Sequence, residues 1–259
     1  MRIRGYAAGT PCWTELRTSD PSGSIEFYHE LFGWKPTDHG DRDTGADFQL
    51  RDLAVAGLHQ QAEGPASWLT YLATDDTAAT LDAVTRAGGL ALTTAVQQAD
   101  RGTSALVSDP QGAVFGLWQR GPFPGAQVTG EPGATCWNEL ATRDLAGAGS
   151  FYGSVFGWTA RASAYGETDG YQEWLQQTRE VAGLIEMGDR FPAAVPAHWR
   201  TTFEVDDCAA SVQRCQSLGG QVAFGPYDAG PGTYAQLIDP LGAAFGIIAL
   251  VPEYRALLA

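Results

Sequence analysis

Cys12-Trp13-Thr14-Glu15-Leu16 and Cys136-Trp137-Asn138-Glu139-Leu140 are the stretches that decide how this chain folds. Each leads through an aspartate into a helical pattern closed by Phe-Gly-Trp, at Phe32-Gly33-Trp34 and Phe156-Gly157-Trp158. Both landmarks recur at a shift of 124 residues, from Trp13 to Trp137 and from Trp34 to Trp158. Self-similarity at a fixed shift marks a duplicated architecture.

Working outward, Pro11 to Arg17 alternates Cys12, Thr14 and Leu16 with Trp13, Glu15 and Arg17, the period of a strand. Asp20 caps a helix that has Pro21 at its first position, and Gly33 suits its left-handed end. Strand-like pieces follow near residues 48–50 and 55–60. A further strand, Ser67 to Thr74, runs into the Asp75-Asp76 cap of a second helix, which ends at Gly88-Gly89. Two last strands flank Asp109-Pro110-Gln111-Gly112, a type I turn by composition. The second copy repeats this order, with Asp144, Asp206-Asp207 and Asp239-Pro240-Leu241-Gly242. The shift drifts to 131 between Asp75 and Asp206 and to 130 between Asp109 and Asp239, so length changes fall in loops. The expected domains are residues 1–120 and 134–259, joined by a Gly/Pro-rich linker over 121–133.

The 259 residues hold two such domains comfortably, and 44% hydrophobic residues is a globular composition. A net charge of −14, with Lys35 the sole lysine, argues against nucleic acid or an anionic membrane as partner. No apolar run is long enough to span a bilayer, and Met1-Arg2-Ile3-Arg4-Gly5 does not open a signal peptide. Four cysteines without a Cys-x-x-Cys pair are expected to be buried structural thiols, and the expected compartment is the cytoplasm.

The series Asp20, Phe27-Tyr28, Leu31-Phe32-Gly33-Trp34, Asp75-Asp76, Gly88-Gly89 and Asp109-Pro110-Gln111-Gly112, present in both copies, resembles the vicinal oxygen chelate superfamily. That superfamily includes glyoxalase I, extradiol dioxygenases and bleomycin-resistance proteins. The resemblance implies an α+β fold of two tandem glyoxalase-like domains, each of paired βαβββ modules curled into a cupped mixed sheet. It also implies a ligand on the concave face. Because the duplication supplies the partner module that relatives take from a second chain, a monomer or weak homodimer is expected.

In metalloenzymes of that superfamily, a His opens the first strand seven residues before the capping Asp. Here Trp13 and Trp137 stand there. The second His position, six before the next Asp, falls on Leu69 and Arg200, and the Glu position on Gly116 and Gly246. A divalent metal needs several His or carboxylate groups within about 2.0–2.6 Å, so no metal and no cofactor is expected. His29, His39, His59 and His198 do not restore the site; His198 shares a strand face with Arg200 and is the one expected to point inward.

What the cups offer instead is aromatic surface. Alternation puts Trp13 with Glu15, and Trp137 with Glu139, on one face of each sheet; the resemblance implies that this face is the concave one, with Cys12, Thr14 and Leu16 beneath the helices. Trp34, Tyr71 and Trp118 are the further ligand-contact candidates of the first cup. Trp158, Trp174, Arg200, Tyr227 and Tyr234 are those of the second. Trp68 and Trp199 alternate to the outer face. Gly116 and Gly246 are expected to leave open space, and the segment 225–232 to form a lip over the second cup only.

Flat walls with a few polar tips suit a hydrophobic aromatic or polycyclic small molecule, held in the manner of antibiotic sequestration. The alternative is a metal-independent tailoring enzyme of natural-product biosynthesis, an isomerase, cyclase or hydroxylase-like protein. There Glu15 or Glu139, with His198, would move a proton. Each glutamate is equally able to sit in a structural ion pair, with Arg17 or with Arg200. A tandem structural or regulatory domain without a small ligand is the third reading.

Overall fold

The computed structural model describes residues 3–38, 45–163, 171–189 and 191–258. The expectation for His39 lies outside the described residues.

The first half runs β1 (Pro11–Thr18), α1 (Pro21–Phe32), β2 (Lys35–Asp38), β3 (Ala46–Leu50) and β4 (Leu53–Gln60). It continues with β5 (Ser67–Thr74), α2 (Thr77–Arg86), β6 (Leu90–Ala91), β7 (Val96–Gln98), β8 (Gly102–Ser108) and β9 (Val114–Arg120). The second half has β10 (Thr135–Thr142), α3 (Leu145–Phe156), β11 (Trp158–Ala162), β12 (Tyr171–Gln176) and β13 (Arg179–Glu186). After these come β14 (His198–Glu204), α4 (Cys208–Ser217), β15 (Gln221–Asp228), β16 (Gly232–Ile238), β17 (Ala244–Leu250) and α5 (Pro252–Leu258).

Each half forms one mixed sheet. The orders are β2-β3-β4-β1-β5-β9-β8-β6, with β7 on β8, and β11-β12-β13-β10-β14-β17-β16-β15. Both are the same topology, so the chain is α+β with two tandem domains. The helix signals work as the sequence implies. Asp20 accepts from the Gly23 amide at 3.0 Å and Asp144 from Gly147 at 2.8 Å, while Gly33 and Gly157 take φ of 74° and 71°.

The two sheets meet through their outer faces. At the centre, Thr14 and Thr201 hydroxyls lie 3.1 Å apart, and Thr70 and Thr201 both donate to Asn138 Oδ1. To one side, Phe27, Tyr28 and Phe32 of α1 pack on Phe203, Phe245 and Cys215 of the second half. To the other, Phe151 and Tyr152 of α3 pack on Leu72, Val84 and Phe115 of the first. Tyr28 donates to Asp239 at 3.0 Å, and Tyr152 to Asp109 at 3.2 Å. Each tyrosine oxygen also accepts from a tryptophan, Trp68 or Trp199, at 3.0 Å. The Asp of each Asp-Pro turn therefore serves the opposite domain. The second carboxylate oxygen of each aspartate takes its side-chain donor from across the interface.

That interface corrects two expectations. Trp34, Trp158 and Trp174 do not line the cups: all three are buried in the inter-domain core, where the Trp34 and Trp158 indole N–H groups donate to Gly133 O at 2.7 Å and Gly9 O at 2.9 Å. A left-handed glycine precedes both Trp34 and Trp158, so the chain turns back under the helix and the ring follows it. Cys12 sits at a register shift in β1 and clusters with Trp13, Tyr71 and Ala126 rather than beneath a helix. All four cysteines are free thiols, and burial pushes the Cys215 thiol up to about 11. Such a thiol is inert at neutral pH. Among the described residues no helix is long and apolar enough to cross a membrane.

Candidate functional site

Strand register sets out the two inner faces residue by residue. In the first sheet Trp13 pairs with Tyr71, Tyr71 with Gly116 and Gly116 with Leu106; Glu15 pairs with Leu69 and with Gly57. In the second, Trp137 pairs with Thr202, Thr202 with Gly246, Gly246 with Gln236 and Gln236 with Phe224; Glu139 pairs with Arg200 and with Gly183. The duplication thus keeps Trp, Glu and two glycines in place. It exchanges Tyr71, Leu69 and Leu106 for Thr202, Arg200 and Gln236.

The consequences follow from those exchanges. In the first cup Tyr71 donates to Glu15 Oε1 at 3.2 Å, and Arg17 Nε lies 3.3 Å from the same oxygen. The space expected at Gly116 is filled, since a Cβ there would stand 2.1 Å from the Tyr71 ring. Phe123 of the linker closes the rest. Its ring centroid is 5.0 Å from Trp13 and 5.9 Å from Trp118, both edge-on, and the Trp118 indole donates to the Phe123 carbonyl at 3.2 Å. The first cup is filled by its own side chains around the Glu15–Tyr71–Arg17 set.

The second cup is polar at its floor. Arg200, 6% exposed, places Nη1 3.0 Å from Glu139 Oε1, and Glu139 is 7% exposed. The other guanidinium nitrogen donates to Tyr234 Oη at 2.7 Å and Gln236 Oε1 at 2.5 Å. Burial opposes the Arg200 charge, but Glu139, Tyr234 and Tyr227 outweigh it and raise its pKa. Trp137 donates to Tyr171 Oη at 2.8 Å, and the Tyr171 hydroxyl is hydrogen-bonded to Glu139. Burial, then Glu139, hold Tyr171 well above the ordinary phenol range, so it stays a donor. The space at Gly246 is filled by the Tyr234 hydroxyl, 2.6 Å from where a Cβ would stand.

Above this floor the surface is open and aromatic. Phe224 and Tyr227 are 41% and 42% exposed, and their centroids stand 6.0 and 5.6 Å from that of Tyr234. Arg200 Cζ lies 5.5 Å from the Phe224 ring centre. The lip expected over residues 225–232 is mostly strand, because β15 reaches Asp228. Only residues 229–231 form its turn. His198 lies on the Arg200 face of β14 with Nδ1 2.8 Å from Pro196 O, which makes Nδ1 the protonated nitrogen. Burial lowers its pKa.

The positions that the resemblance assigns to metal ligands do converge, but the residues there do not fit a metal. Trp13, Leu69 and Gly116 offer no donor, and beside Trp137 and Gly246 stands a buried guanidinium. Among the described residues no group of three or more His, Cys, Asp or Glu is arranged to hold a metal ion. A groove of about 580 Å³ between α2 and the β6–β7 edge has Asp82 as its single ionisable lining residue and lies away from both cups.

Of the candidate residues, then, Trp13, Glu15, Tyr71 and Trp118 meet in the first cup, and Trp137, Glu139, Arg200 and Tyr227 in the second, with His198 on the same strand face. Tyr171, Gln236 and Phe224 complete the second cup without having been singled out. For Gln236, alternation from the candidate Tyr234 would have sufficed.

This fold and these sites place the chain in the Glyoxalase/Bleomycin resistance protein/Dioxygenase superfamily, whose profile matches residues 11–117; a Glyoxalase-like domain profile matches residues 137–248. The chain belongs to that superfamily. It is 36% identical to the anthracycline biosynthesis protein DnrV of Streptomyces peucetius, over 97% of each chain. It is 35% identical to CFP32 of Mycobacterium tuberculosis, over 96% of this chain and 97% of that one. Among solved structures, a Mn(II)-bound glyoxalase from Novosphingobium aromaticivorans superposes with a TM-score of 0.66 at 17% identity, covering 95% of this chain and 84% of that one. The 2,3-dioxygenase LapB from Pseudomonas sp. KL28 gives 0.66 at 15%, covering 94% and 93%. These last two likenesses speak for the fold alone.

Proposed function

We propose that the second cup binds a planar, hydroxylated aromatic natural product of the anthracycline kind. The observation that carries this is the exposed pair Phe224 and Tyr227 standing over the buried Glu139–Arg200 pair. Rings of such a ligand stack on the two aromatics. Its hydroxyl or carbonyl edge meets Glu139 as acceptor and Arg200, Tyr234 and Gln236 as a linked polar set. Relatives named for anthracycline biosynthesis support the ligand class.

Titrating the protein into an anthracycline and following the chromophore's polarisation tests this. Saturable binding is expected, weakened at least tenfold by the double substitution Phe224→Ala/Tyr227→Ala. No binding, or binding indifferent to that change, contradicts it.

A second reading, proton transfer by Glu139, draws support from its orienting partners, the Tyr171 hydroxyl and the Arg200 guanidinium. A carboxylate fixed from two sides is placed to take a proton from an enolisable carbon. Incubation with a bound compound followed by mass and isomer analysis separates the readings. Turnover lost in Glu139→Gln with binding kept establishes catalysis; an unchanged compound leaves binding alone.

A further inference from the structure

The linker does more than join two domains. Its main chain is laid along the first cup: the Gly121 and Phe123 amides donate to Arg101 O at 2.9 and 3.2 Å, and the Ala126 amide to Cys12 O at 2.8 Å. The Gln127 amide donates to Ala54 O at 2.7 Å, and Gln127 Oε1 accepts from the Ala54 amide at 3.0 Å. Between these anchors Phe123 turns inward, edge-on to Trp13 and Trp118. The Arg101 guanidinium carbon lies 3.8 Å from its ring centre. Arg101 is in turn held by both oxygens of Asp47, at 2.9 and 3.1 Å. In the second domain the described residues after β17 go directly into α5 instead.

Two indole edges and a fixed guanidinium around one benzene ring make a receptor for an aromatic ligand, with the ligand supplied by the chain. We propose that the first cup is a ring-binding site whose occupant is Phe123, and that it accepts a small electron-rich aromatic once that side chain is removed. The guanidinium sets the electronic preference, because a cation is drawn to the negative face of a π-system. The intact protein therefore has one open cup. This assignment concerns the cup that the proposed function leaves out and does not depend on it.

The test is chemical rescue. Phe123→Ala should melt about 5 °C lower than the unsubstituted protein. Indole at millimolar concentration should restore at least half of that loss while shifting the unsubstituted protein by less than 1 °C. Hexafluorobenzene, of similar flatness but reversed quadrupole, should restore much less. Arg101→Ala provides an arm that keeps the ring in place. It should speed amide exchange at Phe123 and Ala126 at least tenfold and leave β14 and β17 unchanged. Equal indole shifts in the two proteins, equal rescue by both probes, or unchanged exchange in Arg101→Ala would each overturn the proposal.

Discussion

The two cups start from the same strands and have come to opposite ends. In the first, Glu15 meets a tyrosine and a half-exposed arginine while Phe123 occupies the hollow. In the second, Glu139 meets a buried arginine tied to Tyr234 and Gln236, under an exposed aromatic lip. On the outer faces one buried hydrogen-bonded set is kept. Tyr28 with Asp239 and Trp68 is matched bond for bond by Tyr152 with Asp109 and Trp199. Docking constrains the outer residues from both sides, whereas each inner face answers only to its own contents. The duplication has kept this buried polar set where the copies touch and has rebuilt the two cups, where they do not.

The largest expected difference between the cups is in their ion pairs. Arg200→Ala strands the Glu139 carboxylate in a buried floor and should cost about 3–5 kcal/mol in urea unfolding. Arg17→Ala removes a partner that is 26% exposed and should cost less than about 1 kcal/mol. Equal losses would break the comparison. On the outer faces equality is the expectation: Tyr28→Phe and Tyr152→Phe each orphan a tryptophan donor and an aspartate acceptor, so each should lose about 1–3 kcal/mol. Affinity for the anthracycline should fall about tenfold in Glu139→Gln and stay unchanged in Glu15→Gln, since one lost charged hydrogen bond is worth about 1.5–3 kcal/mol.

The smallest effect concerns pH. Burial lowers the His198 pKa in the folded state. The folded form thus prefers the neutral ring, and the contribution is present above the unfolded value of about 6.5 and lost as pH falls below it. His198→Gln should flatten the stability profile below that pH by under about 1 kcal/mol, and an unchanged slope would remove His198 from the account.

Much of this was legible in the residues. The repeat, the aspartate caps, the left-handed glycines and the Asp-Pro turns are local signals, and each formed what local chemistry dictates. Alternation also put Trp13 with Glu15, and Trp137 with Glu139, on a common face, because period 2 leaves no choice within a strand; the resemblance made that face the inner one. Alternation said nothing of Trp34 and Trp158, which follow a reversal rather than a strand. Phe123 was hidden by its neighbours, since Gly121, Pro122, Pro124 and Gly125 read as a spacer and gave no hydrophobic period. Phe224 lies between two register shifts in β15, where counting by twos fails. The open space read at Gly116 and Gly246 is the instructive miss. A glycine announces a close approach, but the visitor, Tyr71 or Tyr234, belongs to the neighbouring strand.

The claim that one cup is open and the other filled by the chain itself is tested most directly by binding stoichiometry. Isothermal titration of the intact protein with an anthracycline should saturate at one ligand per chain, and Arg200→Ala should abolish that site while Arg101→Ala leaves it. Two equivalent sites per chain, or a single site lost in Arg101→Ala and kept in Arg200→Ala, would contradict the account.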